Sequence, residues 1–266
     1  MVRWSDVEVT VPRPHLRLAG VRMAGFSQHA PGFWDVAMIA HPSVSLLVDL
    51  SDGAGAVYET AGAVQRGSVA AGLLPGPVRA TGWARVECLQ IRLSPVAAAA
   101  LLGPAADLTG QVVPLGEVWR RAEGRLRAAG SWDERFTVAT GLLSERWRTD
   151  PEVAHVWART VASRGRPRVD DLAGEVGWSR KRLWSRFRAQ LGITPKHAAR
   201  LVRFDHAAHL LAVGRPPAEV AAASGYADQS HLHRETREFT TLTPAAVAAA
   251  PWLAIDRTAW PGGPPR

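Results

Sequence analysis

Apolar residues in the first 113 positions occur in short runs separated by turn residues. One run spans residues 44–50 and ends at Ser51-Asp52-Gly53, and another spans 86–93 and ends at Ser94-Pro95. Short apolar runs between frequent Gly and Pro residues are typical of antiparallel sandwiches and barrels. The pattern therefore predicts a β-rich N-terminal region, followed by a short helix at residues 95–102.

The spacing of the apolar residues changes from about Leu115 onward. They now recur at intervals of three and four residues, which predicts helices. Ser131 and Glu134 have the spacing of a capping box and predict the start of a second helix. Asp150 and Pro151 predict the start of a third, with Asp150 as the N-cap and Pro151 at the first helical position. Residues 163–168 are interpreted as a linker.

The last third of the chain contains an internal repeat. Each copy is a short apolar helix that ends at a glycine and an aromatic residue, Gly177-Trp178 in the first copy and Gly225-Tyr226 in the second. A second helix follows in each copy and ends before a Thr-Pro pair. The copies are offset by 48 residues before the turn and by 49 after it, so the second turn is one residue longer. A short helix, a glycine turn and a second helix form the pattern of a helix-turn-helix.

A long amphipathic stretch, residues 196–213, separates the two copies. Pro195 precedes it and Gly214 follows it, which favours one uninterrupted helix. Eighteen helical residues span about 27 Å at about 1.5 Å each. A rigid helix of this length can hold two recognition helices about one turn of DNA apart, near 34 Å.

Positive charge is concentrated in the same third of the chain. The net charge is +8, of which residues 164–245 contribute +6, from 14 basic and 8 acidic residues. Residues 1–163 contribute only +1, from 16 basic and 15 acidic residues. A basic region beside a near-neutral one favours a polyanionic partner, and a solvated face on a soluble protein is the alternative.

The segment 169–247 resembles the DNA-binding domain of the AraC/XylS family of bacterial transcriptional regulators. The resemblance covers roughly 80 residues, about 30% of the chain. The chain departs from the family at Thr236, where a large aromatic core residue is usual, and at Thr241, where a helix-ending glycine is usual. The matching positions are residues 225–232, Arg234, Phe239 and 242–244 in the second copy, and Leu172-Ala173, Gly177, Ser179, Leu183, Arg186-Phe187 and 191–195 in the first.

This resemblance implies an α+β chain with a cupin-like antiparallel β-barrel, a helical connector and a C-terminal all-α domain. In the last, two helix-turn-helix units are joined by a long helix. The expected boundaries are 1–113 for the β-rich regulatory domain, 114–163 for the connector, 164–247 for the DNA-binding domain and 248–266 for a flexible tail. The implied function is a sequence-specific DNA-binding transcriptional regulator in the bacterial cytoplasm, associated with the nucleoid. The expected partners are double-stranded DNA, RNA polymerase, a small-molecule effector and a second copy of the chain in a homodimer.

The resemblance also implies roles for side chains on the two recognition helices. Contacts with base edges are expected from Arg180, Lys181, Trp184, Ser185, Gln229, Ser230, His233 and Arg234. Contacts with phosphates are expected from Arg182, Arg186, Arg188 and Arg237. Arg186 and Arg237 could instead pair with nearby acidic residues, and this alternative stays open.

The N-terminal region offers weaker signals. An effector pocket could use Trp34, His41, Trp83 and Gln90, although the alternative is that both tryptophans are core residues. No metal site is expected, because the histidines of this region are scattered and no His-x-His occurs. The helices between 115 and 163 are expected to connect the two domains, with a dimer interface as the alternative.

Neither a catalytic residue nor a cofactor is expected. Cys88 is the single cysteine and lies in an apolar run, which excludes an intrachain disulfide and a multi-cysteine zinc site. No run of 18 apolar residues occurs and the N-terminus lacks the apolar core of a signal peptide, so no membrane association is expected. Two alternatives to an effector-responsive regulator remain. One is a regulator whose N-terminal domain binds no ligand and which is controlled by a partner or by its own abundance; the other is an enzyme fused to a DNA-targeting module.

Overall fold

The computed structural model describes residues 7–28, 32–51, 55–60, 62–73, 78–84, 87–103, 108–143 and 149–250. The side chains of Trp83 and Ala84, and residues 251–266 of the expected tail, lie outside the described part. Within the described ranges the first half is built mainly of strands and the second half of helices. The α+β prediction is therefore confirmed.

Antiparallel strands form two sheets in the N-terminal region. The six-stranded sheet has the order β1-β2-β9-β4-β7-β10 and the four-stranded sheet has the order β3-β8-β5-β6. Among the described residues the hydrogen bonds do not join these sheets into one ring, so the expected barrel is open. The strands are β1 Glu8–Thr10, β2 Val21–Ser27, β3 Gly32–Met38, β4 Val44–Asp49, β5 Val57–Glu59, β6 Val64–Arg66, β7 Val69–Ala71, β8 Val78–Ala84, β9 Glu87–Leu93 and β10 Val112–Pro114.

The six-stranded sheet is buried on both faces at its centre. In β4, Leu46 and Val48 belong to the apolar cluster that extends to the helices. Leu47 points to the opposite face and joins Tyr58 and Val78 of the four-stranded sheet in a second cluster. Successive side chains of a strand point to opposite faces. Burial on both faces explains why the run at 44–50 is almost continuously apolar instead of alternating.

Helices make up the rest of the described chain. α1 has the predicted bounds, and none of the described helices is long and apolar enough to span a bilayer. The helices are α1 Pro95–Leu102, α2 Glu117–Ala128, α3 Trp132–Leu142, α4 Pro151–Ala162, α5 Val169–Glu175, α6 Arg180–Leu191, α7 Pro195–Ala212, α8 Pro217–Ala223, α9 Gln229–Thr240 and α10 Pro244–Ala248.

The start of α3 is capped almost as predicted. The Ser131 hydroxyl accepts a hydrogen bond from the Glu134 N–H at 3.3 Å. The Glu134 carboxylate accepts one from the N–H of Gly130 at 2.8 Å, one residue before the group that a capping box would use. Trp132 then lies over β2, where a Cβ at Gly25 would be 2.3 Å from the indole ring. The glycine therefore allows α3 to approach the sheet closely.

One apolar cluster extends from the six-stranded sheet through the helical half. It contains Ile91 of β9, Phe136 of α3, Phe187 of α6 and Phe204 of α7. α1 lies directly against α6, and the loop before β4 reaches α7 through His41. The β-rich and helical parts therefore share a continuous core.

Helix α4 packs against α5, α6 and α7. Asp150 occupies the N-cap position of α4, as predicted, but its side chain makes no capping hydrogen bond. Its carboxylate instead binds the Arg186 guanidinium, with an N–O distance of 2.6 Å. A charge-assisted pair with a guanidinium is stronger than a neutral hydrogen bond, which explains why the side chain turns away from its own helix.

Candidate nucleic-acid interface

The first helix-turn-helix unit consists of α5 and α6. Leu172 and Ala173 of α5 are buried in the same cluster as Leu183 and Phe187 of α6. The side chain of Ala173 is small and lets the two helices approach each other. Burial of Leu183 and Phe187 at four-residue spacing leaves the opposite face of α6 in solvent.

Both turns have the geometry that the sequence predicts. Four residues, 176–179, separate α5 from α6, and five, 224–228, separate α8 from α9, so the second turn is one residue longer. Gly177 and Gly225 have φ values of 66° and 77°, a left-handed conformation that favours glycine. Ser179 and Asp228 each cap the following helix by accepting a hydrogen bond from the N–H three residues later. Each recognition helix thus begins at a defined position.

One face of α6 is exposed and suited to a groove of DNA. Lys181, Trp184, Ser185 and Arg188 are exposed and follow the spacing of a single helical face. The side chain of Trp184 is among the most exposed large apolar groups, with 47% of its surface accessible. This face therefore presents the cations Lys181 and Arg188, the hydroxyl of Ser185 and the ring of Trp184 together.

Two arginines of α6 are held by ion pairs at the edges of that face. Arg180 binds Asp170 of α5, with an N–O distance of 2.9 Å. Arg186 binds Asp150 at 2.6 Å, which is the pairing that the sequence left open as an alternative to a phosphate contact. Both arginines remain exposed, so the base contact expected of Arg180 and the phosphate contact expected of Arg186 stay predictions.

Two other arginines lie over aromatic rings. The Arg182 guanidinium is 4.7 Å from the centre of the Trp178 ring, and that of Arg188 is 5.2 Å from the Trp184 ring. Such cation–π contacts contribute about 0.5–1 kcal/mol at exposed sites. They keep both charges close to the surface of the helix.

The second unit packs differently from the first. Thr236 stands where the family has an aromatic residue, and it is fully buried, with its hydroxyl donating to the Leu232 carbonyl at 2.7 Å. Phe239, three residues on, is one of the positions that match the family, and its ring lies 5.1 Å from the Phe204 ring of α7. The second unit therefore makes an aromatic contact with α7 from the next turn of α9.

The end of α9 departs from the family pattern in residue type but keeps the backbone conformation. Thr241 has a φ of 62° and Gly192, at the equivalent position after α6, has a φ of 77°. Both residues close their helix in the left-handed conformation, which favours glycine. The second unit therefore carries a strained residue where the first has none.

The exposed face of α9 carries the side chains that the sequence assigns to DNA. The residues assigned in this way are all exposed: Gln229, Ser230, His233, Arg234 and Arg237. Gln229 and Arg234 have side chains that can bind a base edge through two hydrogen bonds. All twelve residues expected to contact DNA are exposed on α6 or α9, and their individual roles stay predictions.

A buried carboxylate behind α9 was not predicted from the sequence. Glu235 is 3% exposed and accepts hydrogen bonds from Tyr226 at 2.9 Å and from Arg200 at 2.8 Å. The signal available in the sequence was its position, between the apolar residues Leu232 and Phe239 on the core-facing side of an amphipathic helix. An ionised carboxylate on such a face needs a cation and hydrogen-bond donors as partners.

The predicted linker before α5 is a docked turn. Gly165 has a φ of 72°, and a Cβ at this position would be 2.1 Å from the Ala199 carbonyl oxygen of α7. The Arg166 side chain donates a hydrogen bond to the Ala223 carbonyl at the end of α8, at 2.7 Å. This turn therefore contacts both α7 and the second helix-turn-helix unit.

Of the four residues expected to form an effector pocket, the three whose side chains are described lie in different elements, and the pocket stays a prediction. Trp34 packs against the cluster between the two sheets and covers Gly82, and Gln90 is half-buried in β9. His41 lies instead at the contact with α7, and the side chain of Trp83 lies outside the described residues. Within the described part of the chain, no three His, Cys, Asp or Glu residues come close enough together to hold a metal ion.

The helical half matches known sequences. A family model described as a helix-turn-helix domain matches residues 172–250. The uncharacterized HTH-type transcriptional regulator YbfI of Bacillus subtilis (strain 168) is 38% identical over 64 residues, which are 24% of this chain and 23% of the relative. The aligned stretch thus spans about a quarter of that relative's length.

Solved structures resemble the fold at low sequence identity. ToxT from Vibrio cholerae is 11% identical, with 87% of this chain and 98% of that chain covered and a TM-score of 0.50. The C-terminal domain of AraT, a response regulator from Geobacillus stearothermophilus, is 22% identical over 39% of this chain and 88% of its own, with a TM-score of 0.36. The AraC-like transcriptional activator CuxR is 14% identical over 73% and 84%, with a TM-score of 0.32. The likeness to ToxT concerns the fold alone.

The matched segment, the two glycine turns and the two capped helices define a helix-turn-helix DNA-binding domain. Its pair of motifs, joined by the long helix α7, is similar to that of the AraC/XylS family. The resemblance stated from the sequence is thereby confirmed for the C-terminal domain.

Proposed function

We propose that the chain is a sequence-specific transcriptional regulator that places α6 and α9 in two successive major grooves of DNA. One observation carries the proposal: two helix-turn-helix units expose polar and basic recognition faces and are joined by a single 18-residue helix. A helix of that length spans about 27 Å. It suits two half-sites one helical turn apart, near 34 Å.

Within this proposal the two faces have different tasks. α6 presents Lys181, Arg188 and the ring of Trp184, and combines charge for phosphates with an apolar surface for the methyl group of thymine. α9 presents Gln229 and Arg234, whose planar side chains suit adenine and guanine edges respectively. α6 accordingly supplies much of the phosphate attraction, and α9 supplies base discrimination.

We further propose that the N-terminal sheets regulate the DNA-binding helices. The support is contact: α1 lies against α6, the Thr149 hydroxyl donates to the Val96 carbonyl of α1, and His41 binds Asp205 of α7 at 2.7 Å. A change in the sheets can therefore reach α6 and α7 through packed elements.

We also propose control by a small-molecule effector, contact with RNA polymerase and formation of a homodimer. The proposed domain boundaries are 1–113, 114–163 and 164–247.

The DNA-binding claim is tested by selection of bound fragments from random duplexes by the full chain, followed by affinity measurements. Arg234→Ala should weaken binding to the selected site by about 1–3 kcal/mol, because one bidentate base contact is lost. Its affinity for random DNA should change much less. Arg121→Ala on α2 is the matched control, since it removes an equal charge from an exposed helix outside both units.

Two outcomes would contradict these assignments. Equal losses on selected and random DNA would remove Arg234 from base recognition, and no enrichment of any sequence would remove the DNA-binding function of the whole chain. For effector control, a metabolite panel is screened by thermal unfolding of the full chain, with a ligand expected to raise the Tm by mass action. If no compound does so, the alternative of control by a partner or by abundance is favoured.

A further inference from the structure

The two recognition helices are each tied to the helix that precedes their unit. α4 precedes the first unit and α7 precedes the second, and buried Val153 and Val156 of α4 recur 48 residues later as buried Leu201 and Phe204 of α7. The structural repeat therefore consists of three helices, not two. We call α4 and α7 the leading helices, because each precedes its unit. Each recognition helix packs with the leading helix of its own copy.

In both copies, the residue at the same position of the recognition helix forms an ion pair with the leading helix or its N-cap. This residue is basic in the first copy and acidic in the second. Arg186 of α6 and Glu235 of α9 are 49 residues apart, the offset of the repeat after the turn. Arg186 binds Asp150 at the start of α4. Glu235 binds Arg200 and Arg203, both on α7, with N–O distances of 2.8 and 3.3 Å.

The carboxylate of the pair in the second unit is far more buried than either side chain of the pair in the first. The side chain of Glu235 is 3% exposed, whereas Arg186 and Asp150 are 53% and 25% exposed. Tyr226 adds a hydrogen bond from the turn, at 2.9 Å, so the two carboxylate oxygens receive donors from two different elements. The Arg203 guanidinium also lies 5.0 Å from the Tyr226 ring and closes the network.

Such a network is better suited to fixing an orientation than to stabilising the fold. A buried ion pair loses hydration when it forms, and an apolar replacement of similar volume is often as stable. Its hydrogen bonds are directional, however, and a helix that slides or rotates leaves a buried charge without a partner. Glu235 therefore penalises any placement of α9 other than the one observed.

We propose that Glu235 is a positioning residue that fixes α9 relative to α7 and thereby sets the distance and helical phase between the two DNA half-sites. The proposal rests on the DNA binding proposed above. Glu235 itself is buried and faces away from the recognition surface formed by Gln229, Ser230, His233 and Arg234. It acts on spacing through the helix, without touching DNA.

The test measures affinity of the full chain for the selected site and for the same site with one base pair added or removed between its halves. One base pair shifts a half-site by about 3.4 Å and rotates it by about 35°. The wild type should lose about tenfold or more at either altered spacing, since the duplex must be deformed to restore both contacts. Glu235→Gln, which keeps the shape but removes the charge, should reduce this ratio to about threefold or less.

Two further variants keep the test decisive. Glu238→Gln is the matched control, because Glu238 shares the Arg200 partner but is 56% exposed; its spacing profile should remain that of the wild type. Tyr226→Phe removes a single hydrogen bond from Glu235 and should flatten the profile partially even if Glu235→Gln fails to fold. Thermal unfolding of each variant shows which proteins are folded.

The outcomes are distinct. If the wild type enriches no DNA sequence, the proposed function fails and the positioning role falls with it. If the wild type binds a spaced site and a folded Glu235→Gln or Tyr226→Phe protein keeps the wild-type ratio between spacings, only the positioning role is overturned. A weaker affinity with an unchanged ratio counts as such an overturning result, because it indicates a purely structural contribution.

Discussion

Replacing Gly165 with alanine tests how tightly the turn after α4 is held against α7. Two separate effects act at this position. The backbone has a φ of 72°, which L-residues with a Cβ adopt at a cost of about 1–2 kcal/mol. The new Cβ would also lie 2.1 Å from the Ala199 carbonyl oxygen, a backbone atom that cannot rotate away.

The size of the second effect follows from the distance. Relief of the overlap requires the turn and α7 to separate by about 1 Å, and forced overpacking of this kind typically costs about 1–3 kcal/mol. The expected loss for Gly165→Ala is therefore about 3 kcal/mol. For a chain of this size it should lower the Tm by about 6–12 °C.

Gly214→Ala provides the control that separates the two effects. Gly214 occupies the corresponding turn after α7 and has a φ of 81°, but a Cβ there would meet no atom within 4 Å. It should lose only the backbone component, about 1–2 kcal/mol. Urea unfolding of both variants, followed by tryptophan fluorescence, gives the difference. If Gly165→Ala loses no more stability than Gly214→Ala, the turn is not held against α7, and residues 163–168 behave as the linker that the sequence predicts.

Two further changes test the second unit and the centre of α7. Thr241→Gly should raise the free energy of unfolding by about 0.5–1 kcal/mol in denaturant unfolding, because it relieves left-handed strain. Gly192→Thr should lower it. A lower stability of Thr241→Gly would contradict this account. Burial and the nearby Arg164 lower the pKa of His206 from 6.5 to about 4. Since the folded protein binds this proton less readily than the unfolded chain, stability should be intact above pH 6.5 and should fall as the pH decreases from about 6.5 towards 4. His206→Gln should flatten that dependence in pH-resolved thermal unfolding, and an unchanged slope would refute it.

Helix bounds, caps and turn lengths could be predicted from the sequence. Pro95 and Gly103 bracket α1, Ser131 caps α3, and the extra residue in the second turn is visible as a change of offset from 48 to 49. The first two depend on positions fewer than ten residues apart, where side-chain type directly restricts the backbone. The third follows from comparing the two copies of the repeat.

Features that depend on distant partners could not be predicted in the same way. Asp150 was identified as a cap, but its partner Arg186 is 36 residues away. Glu235 meets Arg200 across 35 residues, and the turn at Gly165 meets Ala199 across 34. Periodicity shows that such positions are buried but does not show what they meet. The opening of the barrel is of the same kind, since closure depends on which edge strands pair.

Arg186 and Glu235 occupy equivalent positions but carry opposite charges, so the two helix-turn-helix units are not interchangeable. A graft of α8–α9 onto α4 would set Glu235 against Asp150, and a graft of α5–α6 onto α7 would set Arg186 against Arg200 and Arg203. In both chimaeras like charges would face each other at the base of the recognition helix, one of them in a buried setting. Although the copies share a common architecture, each has become matched to its own leading helix, so new DNA specificities are better engineered by changing exposed side chains of α6 and α9 than by exchanging whole units.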